Sequence, residues 1–227
     1  MSQQKIKLII WDFDGVIADT EKLWLLNRQK LINEELNLPW NFAETNKHLG
    51  GMSDKTKKEI LDAMNIKTDT NFWEKAAYLD NETMKQGFAL MPHIKDIFKL
   101  KQFKQCIATG GIRSKTIKKL QISGADEYFD MQQVFTADMV DKGKPAPDLF
   151  LFAAQKMGFL PKECIVIEDS LAGMKAGLSA GMMTVAFVGC EMNNTPQNIR
   201  AIKELGIKQI FDSMIEVKKF LLTSKMI

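Results

Sequence analysis

Short apolar runs recur along the chain and are separated by longer stretches with helical spacing. The apolar runs fall at residues 8–11, 105–108, 134–135, 164–167, 184–188 and 209–211. Several are apolar at every position rather than at alternate ones, as expected of strands covered on both faces of a parallel sheet. Between them lie helical patterns at 114–121, 148–157 and 171–180, the second opening just after Pro145-Ala146-Pro147. Strand, helix, strand in succession predicts a doubly wound α/β fold with right-handed crossovers.

One region breaks the alternation. From Thr20 to Leu90 there is no strand pattern, only helical patterns at 21–36, 54–64 and 72–86. That is too much helix for one crossover, so the expected organisation is an α/β core (1–19 and 91–227) with an all-helical insert (20–90). The glycine pair in His48-Leu49-Gly50-Gly51-Met52-Ser53-Asp54 predicts a turn within the insert, with Ser53 or Asp54 capping the following helix.

Composition narrows the class. The chain has 227 residues, 45% hydrophobic and 26% charged, with a formal charge of +3. These are ordinary values for a globular protein. No apolar run approaches the ~18 residues of a membrane span, and the first residues lack the apolar stretch of a signal peptide. Cys106, Cys164 and Cys190 are far apart and read as reduced core residues of a cytoplasmic protein. The lysine clusters at 55–58 and 115–119 read as solvated helix faces, so neither nucleic acid nor a membrane is expected as a partner. Gly173, Gly177 and Gly181 read as the close-packing face of a helix on the sheet.

Candidate chemistry gathers at the ends of the apolar runs. The first run ends in Asp12-Phe13-Asp14-Gly15. Taken alone this could be a strand-ending turn. A calcium loop is excluded because its twelfth position would be Leu23 rather than Glu. The second run ends in Thr109-Gly110-Gly111, which offers a hydroxyl and backbone N–H groups to an anion. Lys144 is held between Gly143 and Pro145, just ahead of a helix. The fourth run ends in Glu168-Asp169-Ser170, where Asp169 or Ser170 could also cap a helix. In an α/β sheet the carboxyl ends of the strands form the ligand crevice. Carboxylates, one lysine and small-residue anion donors gathered there suit Mg²⁺ and a phosphoryl group.

These motifs resemble those of the haloacid dehalogenase superfamily of phosphohydrolases, in the subgroup of β-phosphoglucomutase and phosphoglycolate phosphatase. Asp12-Phe13-Asp14-Gly15 looks like its first motif and Thr109 like its second. Lys144 matches the third motif, and Glu168-Asp169 with Gly173 the fourth. The resemblance implies a Rossmann-like core with a small helical cap between the first two motifs. It implies a Mg²⁺-dependent phosphatase of a small sugar or organic-acid phosphate, a monomer or weak homo-oligomer. Asp12 would be the nucleophile, and Asp14 the acid and base, its pKa raised by Asp12 and by cap closure. Thr109, Gly110 and Lys144 would bind the phosphoryl group. Asp12, the backbone carbonyl of Asp14 and Asp169 would hold the metal, with Glu168 near or in its shell. Specificity would sit at 48–54 and at Arg113.

Three alternatives compete with this reading. A dehalogenase is disfavoured because Asp14 is present, and a non-catalytic binder because every motif carboxylate is intact. The mutases of this subgroup carry His and Arg where Trp24 and Asp54 stand here, which disfavours a sugar-phosphate mutase.

Overall fold

The computed structural model describes residues 5–50 and 54–223, except for the side chain of Lys55. The chain divides into two compact units, 1–19 with 89–227, and 20–88. In chain order its elements are β1 (Leu8–Trp11), then the helices of the second unit, α1 (Glu21–Leu36), α2 (Phe42–Leu49), α3 (Asp54–Ala63) and α4 (Thr70–Gln86). The first unit continues with α5 (Ile94–Phe98), β2 (Lys104–Thr109), α6 (Arg113–Ser123), β3 (Val134–Thr136) and α7 (Asp148–Met157). It ends with β4 (Cys164–Glu168), α8 (Leu171–Ser179), β5 (Met183–Phe187), α9 (Pro196–Glu204), β6 (Ile210–Phe211) and α10 (Met214–Thr223).

The six strands form one sheet in the order β3-β2-β1-β4-β5-β6, and every pairing is parallel. This is the doubly wound α/β architecture expected from the apolar runs. All four residues of β1 are fully buried, because β1 is central and helices cover both faces. Helix α8 lies directly on the sheet: a Cβ at Gly177 would come within 2.6 Å of Thr184 Oγ1. The three cysteines are buried and unpaired. Among the described residues no helix is long and apolar enough to cross a membrane.

The helical unit has its own core. Leu25, Leu31 and Ile32 of α1, Leu61 of α3, and Phe72, Ala76 and Met84 of α4 are buried. Arg28 on α1 is also buried, at 2% exposed. Its guanidinium donates to both oxygens of Asp54 (3.0 and 3.1 Å) and of Asp80 (2.8 and 3.0 Å), joining α1, α3 and α4. Asp80 also accepts from Asn27 at 2.9 Å.

Two expectations are corrected here. The lysine clusters are not wholly solvated faces: Lys57 and Lys119 are buried. Lys57 lies 3.8 Å from Glu21. Each belongs to the inward stripe of its helix, Lys57 one turn before Leu61 and Lys119 beside Thr116 and Leu120. An unforeseen helix, α2, runs into the segment predicted to turn, of which Gly51 and Met52 lie outside the described residues. A capping box starts it: Glu44 N–H donates to the Asn41 side chain and Asn41 N–H donates to the Glu44 carboxylate. Ser53 lies outside the described residues, and Asp54 is the first residue of α3.

Candidate active site

The site is built where β1, β2 and β4 end. The Asp12 N–H still donates to the Ile167 carbonyl at 3.0 Å, so Asp12 keeps its place in the sheet. The chain then turns: the Phe13 carbonyl accepts from the N–H groups of Val16, Ile17 and Ala18. Gly15 has φ +80° inside this turn, and a Cβ there would sit 1.9 Å from Asp169 Oδ2. Both the left-handed backbone and the approach of Asp169 therefore require glycine.

Lys144 binds the ends of β1 and β4 together. Its ammonium donates to Asp12 Oδ1 at 2.5 Å and to Glu168 Oε1 at 2.6 Å, and it lies 4.8 Å from the centre of the Phe150 ring. The other oxygen of Glu168 accepts from Ser170 N–H (2.7 Å) and Ser170 Oγ (2.9 Å). Ser170 in turn caps α8 by accepting from Gly173 N–H at 3.1 Å. A Cβ at Gly173 would overlap Glu168 Oε1. Both Glu168 oxygens are thus engaged, one by Lys144 and the other by Ser170.

Asp169, half-buried, follows β4, and its Oδ2 accepts from Asn193 Nδ2 at 2.7 Å. Asp14, one residue before Gly15, turns to another cation: Lys119 Nζ is 2.6 Å from both of its carboxylate oxygens. Thr109 is buried at the end of β2 and its Oγ1 accepts from Gly111 N–H at 3.4 Å. Gly110 is exposed, and a Cβ there would meet nothing within 4 Å.

The electrostatics are lopsided. Desolvation, opposed by Lys144 and reinforced by Glu168 and Asp14, pushes the Asp12 carboxyl up to about 7. Desolvation and then the charges of Glu168 and Asp12 push Asp169 well above the usual carboxylate range. Lys144 is also raised: its carboxylate partners outweigh its own desolvation, so it stays charged. Buried acid exceeds the cation that neutralises it, a situation a divalent cation relieves. Among the described residues no three His, Cys, Asp or Glu side chains stand ready to enclose an ion. Mg²⁺ does not need such a cage, because one or two carboxylates suffice when water and substrate oxygens complete the shell. Asp12 and Asp169, close enough for the charge of Asp12 to raise Asp169, supply two such carboxylates.

Sequence reasoning misplaced Arg113. Its guanidinium donates to the carbonyls of Val134 (2.8 Å) and Met131 (2.9 Å), so it braces the β3 edge of the sheet. It missed Lys119 and Asn193. The inward stripe of α6 carried the signal for Lys119, whereas Asn193 sits in a loop where no periodicity exists.

Comparison with known proteins agrees with this geometry. The profile of the haloacid dehalogenase-like hydrolases matches residues 9–187. The chain is 26% identical to a phosphorylated carbohydrates phosphatase of Thermotoga maritima, over 83% of this chain and 88% of the relative. It is 29% identical to the β-phosphoglucomutase of Bacillus subtilis, over 79% of this chain and 82% of the relative. In fold it is similar to a hydrolase from Deinococcus radiodurans with bound phosphate and sodium. That similarity has a TM-score of 0.83 at 23% identity and covers 97% of each chain. With its central strand ending at Asp12, its lysine bridge and a family match across most of its length, the chain belongs to the haloacid dehalogenase-like hydrolases.

Proposed function

We propose that this hydrolase is a Mg²⁺-dependent phosphatase that cleaves a small sugar or organic-acid phosphate through an aspartyl phosphate on Asp12. The observation that carries the reading is Lys144 held between Asp12 and Glu168, with the further carboxylate of Asp169 half-buried after the same strand as Glu168. This arrangement orients one Asp12 oxygen and keeps a fixed cation beside it.

In the first half-reaction an Asp12 oxygen attacks phosphorus and the bond from phosphorus to the ester oxygen breaks. Asp14, protonated, gives its proton to that oxygen, so the product leaves as an alcohol. In the second, Asp14 as carboxylate takes a proton from water, whose oxygen attacks phosphorus. The bond to Asp12 breaks and inorganic phosphate leaves. Thr109 Oγ1 and the Gly110 N–H donate to phosphoryl oxygens, and Lys144 lowers the repulsion between the Asp12 carboxylate and the phosphate. Mg²⁺, held by Asp12, the Asp14 carbonyl and Asp169, would supply further positive charge at the phosphate. Glu168 acts by fixing Lys144.

Substrate choice is assigned to the helical insert. Asp54 stands where the mutases of the subgroup carry Arg, and it is bound to Arg28, which fits net hydrolysis rather than phosphoryl return to a sugar. The test is a screen of phosphorylated metabolites that measures phosphate release with Mg²⁺ and with EDTA. Acid-quenched enzyme is then analysed for a phosphoryl adduct at Asp12. Phosphate release undiminished in EDTA, or turnover without any adduct at Asp12 under burst conditions, would overturn the mechanism.

A further inference from the structure

Asp169 is approached from two sides. The absence of a side chain at Gly15 leaves room for the Asp169 Oδ2, and the same oxygen accepts a hydrogen bond from Asn193 at 2.7 Å. Asn193 is itself anchored at both backbone groups. Its N–H donates to the Cys190 carbonyl at 2.9 Å, and its carbonyl accepts from Asn198 Nδ2 at 2.8 Å. Asn198 lies in the first turn of α9, where Thr195 caps the helix by accepting from Asn198 N–H at 3.2 Å. At the other end of the loop the Cys190 thiol donates to the Gly15 carbonyl at 3.4 Å. The loop after β5 therefore reaches both the turn after β1 and the carboxylate after β4.

The chemistry of the donor matters as much as its position. A lysine or arginine at this point would neutralise Asp169 and compete with a cation for it. A carboxamide fixes one oxygen while leaving the negative charge intact and the other oxygen unconstrained by that bond. Neighbours that orient a ligand in this way are typically worth ~10–100-fold in metal affinity. We propose that Asn193 is a positioning residue that aims Asp169 at a divalent cation. The inference rests on the reading of Asp12, the Asp14 carbonyl and Asp169 as a Mg²⁺ site.

The test is calorimetric titration of Mg²⁺ into the whole substrate-free protein, comparing wild type with Asn193→Ala, Asn193→Leu and Asn198→Ala. The expected result is a Kd raised by ~10–100-fold in the two Asn193 variants. The Mg²⁺ concentration for half-maximal phosphate release should rise in step. Asn198→Ala keeps the amide but loosens its anchor, so its Kd should rise by a smaller factor. Unchanged Kd in a folded Asn193 variant overturns the inference. If neither Asn193 variant folds, Asn198→Ala decides, and an unchanged Kd there overturns it. Failure of the underlying site looks different: wild type itself would take up no Mg²⁺, and Asp169→Ala would behave like wild type in the titration.

Discussion

Each unit of the molecule buries one cation between two carboxylates, and the two arrangements do opposite things. In the helical unit Arg28 lies between Asp54 and Asp80, with Asn27 adding a neutral donor to Asp80. Asp54 is half exposed, so water screens part of its charge. The planar guanidinium meets both carboxylates with several parallel bonds, the geometry that makes arginine suited to a fixed joint. In the α/β unit Lys144 lies between Asp12 and Glu168, but the half-buried Asp169 adds another acid, and Asp14 is near enough to raise Asp12. A buried ion pair is therefore not the mark of a site. Uncompensated acid around the pair is, because it stores an affinity for protons, metal ions and an electrophile.

The largest expected effect separates the two joints by activity. Asp12→Asn should lower turnover by at least ~10⁴-fold, the scale at which loss of a covalent nucleophile shows. Its far-UV spectrum should match wild type, and steady-state kinetics with quantified burst phases checks the loss. Next comes Arg28→Met, which leaves the partly buried Asp80 without its cation. Loss of one partner of a buried pair costs about 3–5 kcal/mol, measured here by urea unfolding. A cost near zero would mean that Arg28 is not the joint of the helical unit.

A third expectation concerns pH and metal-free protein. Burial and like charges raise Asp12 to about 7 and Asp169 well above its ordinary value. Above the ordinary carboxylate range, about pH 4, and up to pH 7, the folded state then binds more protons than the unfolded state, so stability falls as pH rises. Thermal unfolding in EDTA should give a lower Tm at pH 7.5 than at pH 5, and saturating Mg²⁺ should flatten that slope. A Tm that climbs over this interval in EDTA contradicts the surplus of buried acid.

Lys119→Met should act more gently. It removes a partner that positions the Asp14 carboxyl, so esters with poor leaving groups should slow by roughly tenfold, below the 10²–10⁴ range for losing the acid itself. An aryl phosphate should barely change, and a Brønsted series over leaving groups reads the difference. The smallest effect belongs to the exposed pair Arg200–Glu204 at 3.1 Å. Arg200→Ala should leave unfolding free energy within about 0.5 kcal/mol of wild type.

The fold was largely legible because strands covered on both faces must be apolar throughout, as Leu8 to Trp11 and Cys164 to Ile167 are. The positions of Asp12, Thr109, Lys144 and the Glu168-Asp169 pair at one end of the sheet were legible because strand ends in such a sheet are where polar residues converge. The helices α2, α5, α9 and α10 were not, although Asn41 with Glu44, and Thr195 with Pro196, signal two of their starts. Counting lysines by local charge density hid Lys57 and Lys119. Their burial depends on helical phase and on a distant carboxylate, which density does not report. Asn193 is harder still, since loop geometry sets its contact with Asp169 and no spacing rule reaches across 24 residues of chain.

The strand order also governs how the chain comes into being. β1 needs β2 on one side and β4 on the other, with Leu8 opposite Lys104 and Cys164. During synthesis the helical insert emerges complete while β1 still has no neighbour. After β2 arrives, the second edge of Leu8–Trp11 stays bare until residues 164–168 leave the ribosome. That edge is a fully apolar template for strand pairing with another nascent chain. Polypeptides interrupted between β3 and β4 should accordingly accumulate as aggregates, whereas those interrupted after β4 can close the sheet around β1.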